Sequence, residues 1–307
     1  MIEALRLMLV NRPAVVANVL AFVVLALAER GVARTALWLL TGTAIGWFME
    51  LSSTRTGVPF GFYVYHTQSF AGELSAGGVP LFASFSFAAL TYLGYSAACT
   101  LLSPLRGTGA AIRRHESDAL VTSWRVLLLA ALLIAWMDTV IDPLTLLGRY
   151  WHLGDLYHYD PPGPHFGVPL RNYGGWLITS LTIVGTNQLI DGWLRRSGRP
   201  PAPLYALPFQ PLWSVGGQTG TYIYMIGVTL YLLGSDAVPP SAPLRPILHS
   251  TLALTAGYAA FTVAMICRAF RLPVAGEENP HEENSYGVAA GVSPATPPEI
   301  PTHAPRA

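Results

Sequence analysis

Seven stretches, at about residues 13–29, 35–50, 80–102, 122–142, 174–194, 212–234 and 247–270, run almost free of charge. Crossing a bilayer as a helix takes about 17–25 predominantly apolar residues. In lipid every backbone polar group has to be satisfied inside the segment, so stretches of this kind fold as helices. The expected fold is therefore an all-α, polytopic membrane helix bundle of about seven transmembrane helices. The second stretch is short for a lipid-facing helix and would need a thinned bilayer or a neighbour to span.

Composition agrees. The chain has 52% hydrophobic and 11% charged residues, where soluble domains carry about 25% charged. All 18 basic residues are arginine and the net charge is +1, which gives no reason to expect a nucleic-acid partner. Cys99 and Cys267 both lie in apolar runs, so neither a disulfide framework nor a thiolate metal site is expected. The Gly- and Thr-rich "SVGGQTGTYIYMIGVTLYLLG" suits close helix packing in a membrane. Residues 1–272 form the membrane domain, and from Pro273 the chain turns polar and Pro-rich, so 273–307 reads as a disordered tail.

Arginine asymmetry orients the bundle. One set of alternate connections carries eleven arginines, Arg30, Arg34, Arg106, Arg113 and Arg114 among them; the other set carries six. The richer side belongs in the cytoplasm, which places the tail there and the N-terminus outside, in a bacterial-type inner membrane. The alternative is that "MLVNRPAVVANVLAFVVLALAERG" is a cleaved signal peptide; the parity of the remaining stretches works without cleavage.

The unusual polar residues gather on the arginine-poor side, in two long connections that resemble each other. In each, a tryptophan stands two or three residues ahead of an acid, Glu50 or Asp138. Two closely spaced tyrosines follow, Tyr63 and Tyr65 or Tyr157 and Tyr159, and then Gly-Val-Pro-Leu at 78–81 or 167–170. The acid-to-glycine separation is 28 residues in one and 29 in the other. This points to an internal span-loop-span repeat with Glu50 and Asp138 in corresponding places.

Asp138 and Asp142 are four apart and share one helix face. Pro143 disfavours helical geometry at Asp142, which puts the pair in the last turn. The negative end of a helix, partial burial and a second acid nearby all oppose ionisation, so one of the two is expected to hold its proton near neutral pH. Ionisable groups at membrane depth are functional candidates by default. Histidines 152, 158 and 165, with His66, lack ligand spacing, and no metal site is expected. "DTVID" also fits the acid-x-x-x-acid pattern by which membrane prenyltransferases hold magnesium and a diphosphate, but those enzymes need a second acid-rich helix facing the first. Asp191 falls on the opposite membrane side.

The segments "ELSSTRTGVPFGFYVYH", "GGVPL", "WMDTVIDP" and "GVPLRNYGGWLITS" together resemble the integral-membrane carotenoid-biosynthesis hydratases of the bisanhydrobacterioruberin and γ-carotene 1',2'-hydratase type. The resemblance spans about residues 40–195, with a weaker likeness to the seventh stretch. It implies a cofactor-independent hydro-lyase that adds water across a terminal ψ-end double bond of an acyclic or monocyclic carotenoid. The substrate would be drawn from the membrane lipid, and the product would be a tertiary alcohol. The chemistry of the residues fits: a protonated carboxyl donates to C-2, a carboxylate deprotonates water, and aromatic faces steady the tertiary cation by about 0.5–2 kcal/mol each. Asp138 and Glu50 are the acid/base pair, Asp142 supports the protonation state, and Arg55 and Asn172 orient water or carboxylates. Tyr63, Tyr65, Trp136, Trp151, Tyr157 and Tyr159 are the aromatic substrate-binding candidates. The alternatives are a magnesium-dependent membrane prenyltransferase and a proton-coupled lipid or carotenoid carrier. The residues leave open which carotenoid is taken, whether one or both ends react, and the oligomeric state.

Overall fold

The computed structural model describes residues 2–151, 153–235 and 243–274. Within them the helices are α1 (Ile2–Asn11), α2 (Pro13–Arg30), α3 (Val32–Thr56), α4 (Leu81–Leu102), α5 (Asp118–Val121), α6 (Trp124–Thr145), α7 (Leu170–Arg196), α8 (Gln210–Leu233) and α9 (Leu244–Ala269). Strand is confined to short antiparallel ribbons in the connections. These are β1 (Tyr63–Tyr65) with β6 (Tyr157–Tyr159), β2 (Ser75–Ala76) with β3 (Val79–Pro80), and β4 (Leu105–Arg106) with β5 (Arg113–Arg114). The fold is all-α. The described residues as far as Leu272 form one compact unit by their contacts. All of the expected tail beyond Val274 lies outside the described residues.

Each of the seven apolar stretches is a helix. Four of them, α2, α4, α6 and α9, are long and apolar enough to cross a membrane. α3, α7 and α8 are longer than α2, at 25, 27 and 24 residues, but they carry more polar side chains. Burial shows how the bundle is organised: 83% of the apolar window of α4 is buried, against 22% in α2 and 17% in α9. α4 is the central post, packed by α2, α3, α6 and α8. α2 and α9 turn most of their apolar surface outward, as lipid-facing helices do and water-facing ones rarely can. α2 is nonetheless built into the core through Phe22, Leu25 and Ala26.

Lipid offers helices no hydrophobic reward for meeting, so close packing and polar contacts hold them together. At Gly42 a Cβ would lie 2.8 Å from the Ala88 Cα, and at Gly46 one would lie 2.7 Å from the Phe87 Cβ. Glycine is what lets α3 approach α4. Trp38 Nε1 donates to the Ala88 carbonyl at 3.2 Å, and Asn187 Nδ2 of α7 donates to Thr41 Oγ1 of α3 at 2.9 Å. Gly46→Leu is expected to force the two helices apart at a cost of about 1–3 kcal/mol. The check is the thermal midpoint of the purified protein in detergent, and an unchanged midpoint would show that the contact yields.

Two boundaries differ from expectation. α3 does not end at residue 50 but continues through Glu50 to Thr56, where Gly57 takes a left-handed φ of +74° and its amide bonds the Ser53 carbonyl at 2.9 Å. The final residues, "LSSTRT", are polar, so hydropathy alone ends the segment early. α6 likewise runs past Pro143 to Thr145. Proline forfeits its own amide bond and crowds the carbonyl four residues back, yet the helix carries on past it, and the Leu146 amide reaches the Asp142 carbonyl at 3.1 Å. Asp142 therefore lies inside the helix, with Asp138 a full turn deeper.

The two ends of the bundle differ in kind. Arg34, near the start of α3, pairs with Asp191 at 2.8 Å, and nearby Arg30 and Arg114 share Glu116. Arg114 also meets Glu29 at 3.0 Å, and that carboxylate accepts from Tyr92, Ser96, Gln210 and Ser214. This network pins α2, α4, β5 and α8 together. Glu50 stands at the opposite end of the same helix as Arg34.

Candidate active site

The ribbon of β1 and β6 covers the acid-bearing end of the bundle. Its register sets Tyr63 opposite Tyr159, Val64 opposite His158 and Tyr65 opposite Tyr157. Side chains alternate along a strand, so all four tyrosines share the inner face, while Val64 and His158 are exposed on the other. The rings pack together, with the Tyr63 centroid 5.3 Å from that of Tyr65, edge-on, and 5.5 Å from that of Tyr157, tilted.

From this ribbon the hydroxyls reach down to the carboxyls. Tyr65 donates to Glu50 Oε1 at 2.6 Å, and Ser84, from the first turn of α4, donates to Oε2 at 3.2 Å. Tyr157 and Tyr159 donate to the two oxygens of Asp142 at 2.6 and 2.8 Å. Asn172, in the first turn of α7, spans both aspartates, with Nδ2 2.6 Å from Asp138 Oδ2 and 2.7 Å from Asp142 Oδ2. Asp138 Oδ1 is buried and has no hydrogen-bond partner among the described residues. Burial first, and then the neighbouring carboxylates, hold the phenols of Tyr65 and Tyr157 well above the ordinary tyrosine range. Both therefore stay O–H donors.

These groups line one end of a cavity of about 990 Å³ whose remaining walls are almost wholly apolar. Glu50, Asp138, Asp142 and Asn172 all face it, as do Tyr63, Tyr65, Trp151, Tyr157 and Tyr159. Two expected residues do not. Arg55 is exposed at the end of α3, outside the cavity, and bonds none of the three acids. Trp136 packs edge-on against Tyr258 of α9 at 6.4 Å. Two residues before Asp138 on a helix is 200° around it, so Trp136 faces away from the cavity.

The tyrosines also revise the expected correspondence. In the first connection Tyr65 bonds Glu50, but in the second both tyrosines bond Asp142 rather than Asp138. The histidines are dispersed. His66 Nε2 meets His158 Nδ1 at 2.7 Å across the ribbon, His165 contacts the Tyr173 hydroxyl, and His152 lies outside the described residues. Among the described residues, no three His, Cys, Asp or Glu side chains converge in a metal-holding group.

Sequence reasoning missed two features. Ser84 follows the first Gly-Val-Pro-Leu by three residues as Asn172 follows the second by two, an offset that could have marked it. Arg12 left no local trace. It is buried between α1 and α2 and donates to Glu73 Oε2 at 3.1 Å, the Ser69 carbonyl at 2.8 Å and the Leu153 carbonyl at 2.6 Å. One guanidinium thus ties both connections to the roof of the cavity.

The sequence profile of the family described as "Carotenoid biosynthesis protein" matches residues 11–210, which include every acid and tyrosine of the site. The chain belongs to the carotenoid biosynthesis protein family. That membership gives it a role in carotenoid metabolism, and its four apolar helices make it a membrane protein. No curated protein and no solved structure matches the chain. In this family member the matched region ends where α8 begins, so α8 and α9 complete the bundle from outside it.

Proposed function

We propose that this carotenoid biosynthesis protein is a carotenoid 1,2-hydratase that converts a terminal ψ-end C=C of an acyclic or monocyclic carotenoid into a tertiary alcohol. The observation that carries this reading is the way hydrogen-bond donors sort the three buried carboxyls. Asp142 accepts three donors and Glu50 accepts two, so both oxygens of each are engaged. Asp138 accepts one and keeps a free buried oxygen, so it is the carboxyl suited to carry a transferable proton. In the proposed step, that proton passes to C-2 and the double-bond electrons form the new C–H bond. The tertiary cation at C-1 rests against the tyrosine rings. Water then bonds to C-1 and gives its proton to Glu50, which returns it to Asp138 between turnovers. The sum is the addition of one water with no redox change.

Supporting the internal repeat, the two Tyr-x-Tyr segments pair with each other. Phe87 and Trp176, each six residues past the leucine of its Gly-Val-Pro-Leu, stack at 4.4 Å. The seven long helices are read as spans of a bacterial-type inner membrane, with the arginine-paired end in the cytoplasm. For a diphosphate-binding prenyltransferase the same acids would have to take magnesium, yet both Asp142 oxygens already accept tyrosine donors, and Asp191 is paired with Arg34 and Arg195 at the far end.

The test is expression in a host that accumulates lycopene, with a mass gain of one water as the expected product. Activity in isolated membranes should survive strong chelation, because no step uses a Lewis acid. Loss in chelator restored by magnesium would favour the transferase, and directional transport without a change in substrate mass would favour the carrier.

A further inference from the structure

The cavity is far longer than the acid cluster needs. From the acids it continues between α2 and α8, lined by Ala14 to Leu25 on one side and Leu212 to Met225 on the other. At 1.5 Å per residue that is a trough about 17–20 Å long. Its mouth is marked by lining residues that remain exposed, Leu20 (58%) and Val24 (44%) on α2 with Leu212 (69%) and Trp213 (54%) on α8. These exposed lining residues are apolar, and only 22% of the apolar window of α2 is buried, so the trough opens sideways toward lipid rather than toward water.

The trough is kept open by absent side chains. Gly216 and Gly220 sit four apart on one face of α8, and both line it. A Cβ built at either would meet nothing within 4 Å. Neighbouring Gly217 is different, since its Cβ would come within 2.7 Å of Leu93 Cδ2. Packing therefore explains Gly217 but not the other two. The closed end of the same trough holds the buried, unpartnered Asp138 oxygen. An apolar channel open to the bilayer, floored by glycine and ending on a polar atom without a partner, has the shape of a binding site for a long, narrow apolar molecule with one reactive tip.

We infer that the trough between α2 and α8 is the portal and binding groove for the rod of a polyisoprenoid, which enters sideways from the bilayer tip-first, and that Gly216 and Gly220 set its admissible width. The inference rests on the proposed hydration only for the identity of the tip. Because the trough is shorter than the ~30 Å hydrocarbon core, the rest of a membrane-spanning rod stays in lipid, and the far end group goes unread.

The experiment uses the full chain purified in detergent from lycopene-accumulating cells, with bound lycopene read from its visible absorbance per protein. In an apolar pocket, one methylene is worth about 10–200-fold. Gly216→Leu and Gly220→Leu are therefore expected to lower bound lycopene and hydrated product together by about tenfold or more. Gly227→Leu, also open but outside the trough, should bind and convert as the parent does. Asp138→Asn should keep its bound lycopene while losing conversion. Should the leucine variants fail to accumulate, Gly216→Ala and Gly220→Ala are expected to show a smaller loss of the same kind. Parent-like lycopene binding by the Gly216 and Gly220 variants would overturn the portal and leave the reaction untouched. Lycopene bound in a Gly216-dependent way without any hydrated product would support the groove and sink the hydratase reading instead.

Discussion

Asp138→Asn is expected to lower hydrated carotenoid by about 10²–10⁴-fold, the usual worth of general acid–base catalysis. The substitution keeps the size of the side chain and an oxygen for the Asn172 amide, which now bonds Asp138 Oδ2 at 2.6 Å. It removes the proton that the step consumes. Glu50→Gln should act as strongly, because an amide cannot take the proton from water even though Tyr65 and Ser84 can still donate to its oxygen. Asp142→Asn should cost less, since Asp142 serves as the anchor of Tyr157, Tyr159 and Asn172 and does not itself exchange a proton with substrate. Its loss should show as a shifted pH optimum before it shows as lost turnover. Arg245→Gln, exposed on α9, is the control. The measurement is product per protein in membranes at matched protein levels, and near-normal hydration by both Asp138→Asn and Glu50→Gln would rule the mechanism out.

The helices were legible because apolar runs record burial in lipid directly, and all seven runs are helical. Their ends were less legible. Hydropathy stops at Glu50, where the backbone continues six residues to Thr56, and α6 runs two residues past Pro143 despite the proline. The acid and tyrosine types pointed to one site, but the sequence could not say which acid each tyrosine holds. That choice is made by the register of β1 on β6, a contact between segments more than ninety residues apart. Trp136 and Trp151 look alike as letters near a carboxylate. Helix phase distinguishes them: 200° of rotation from Asp138 takes Trp136 to the opposite face. Arg12 and Glu73 were beyond reach, since a pairing across 61 residues leaves no periodicity to read.

That pair carries the second large effect. Arg12 and Glu73 are almost wholly withdrawn from solvent, with side chains 5% and 1% exposed and a 3.0 Å contact. Removing one partner of such a pair leaves a buried, uncompensated charge, which costs about 3–5 kcal/mol. Arg12→Met also strips the Ser69 and Leu153 carbonyls of their donor and removes the guanidinium that lies 4.4 Å over the Phe82 ring. It is expected to lower the melting temperature in detergent by several degrees and to reduce protein in the membrane. Because Leu153 lines the cavity, conversion per folded molecule should fall as well. Arg12→Met combined with Glu73→Leu should recover much of the stability, since an apolar pair of similar volume often replaces a buried ion pair without loss. It should not recover full conversion, because no side chain then holds the Ser69 and Leu153 carbonyls. That split separates the charge from the tether: a double variant as unstable as Arg12→Met would assign the whole effect to the lost carbonyl bonds, and a single variant as stable as the parent would show that Arg12 holds no roof at all.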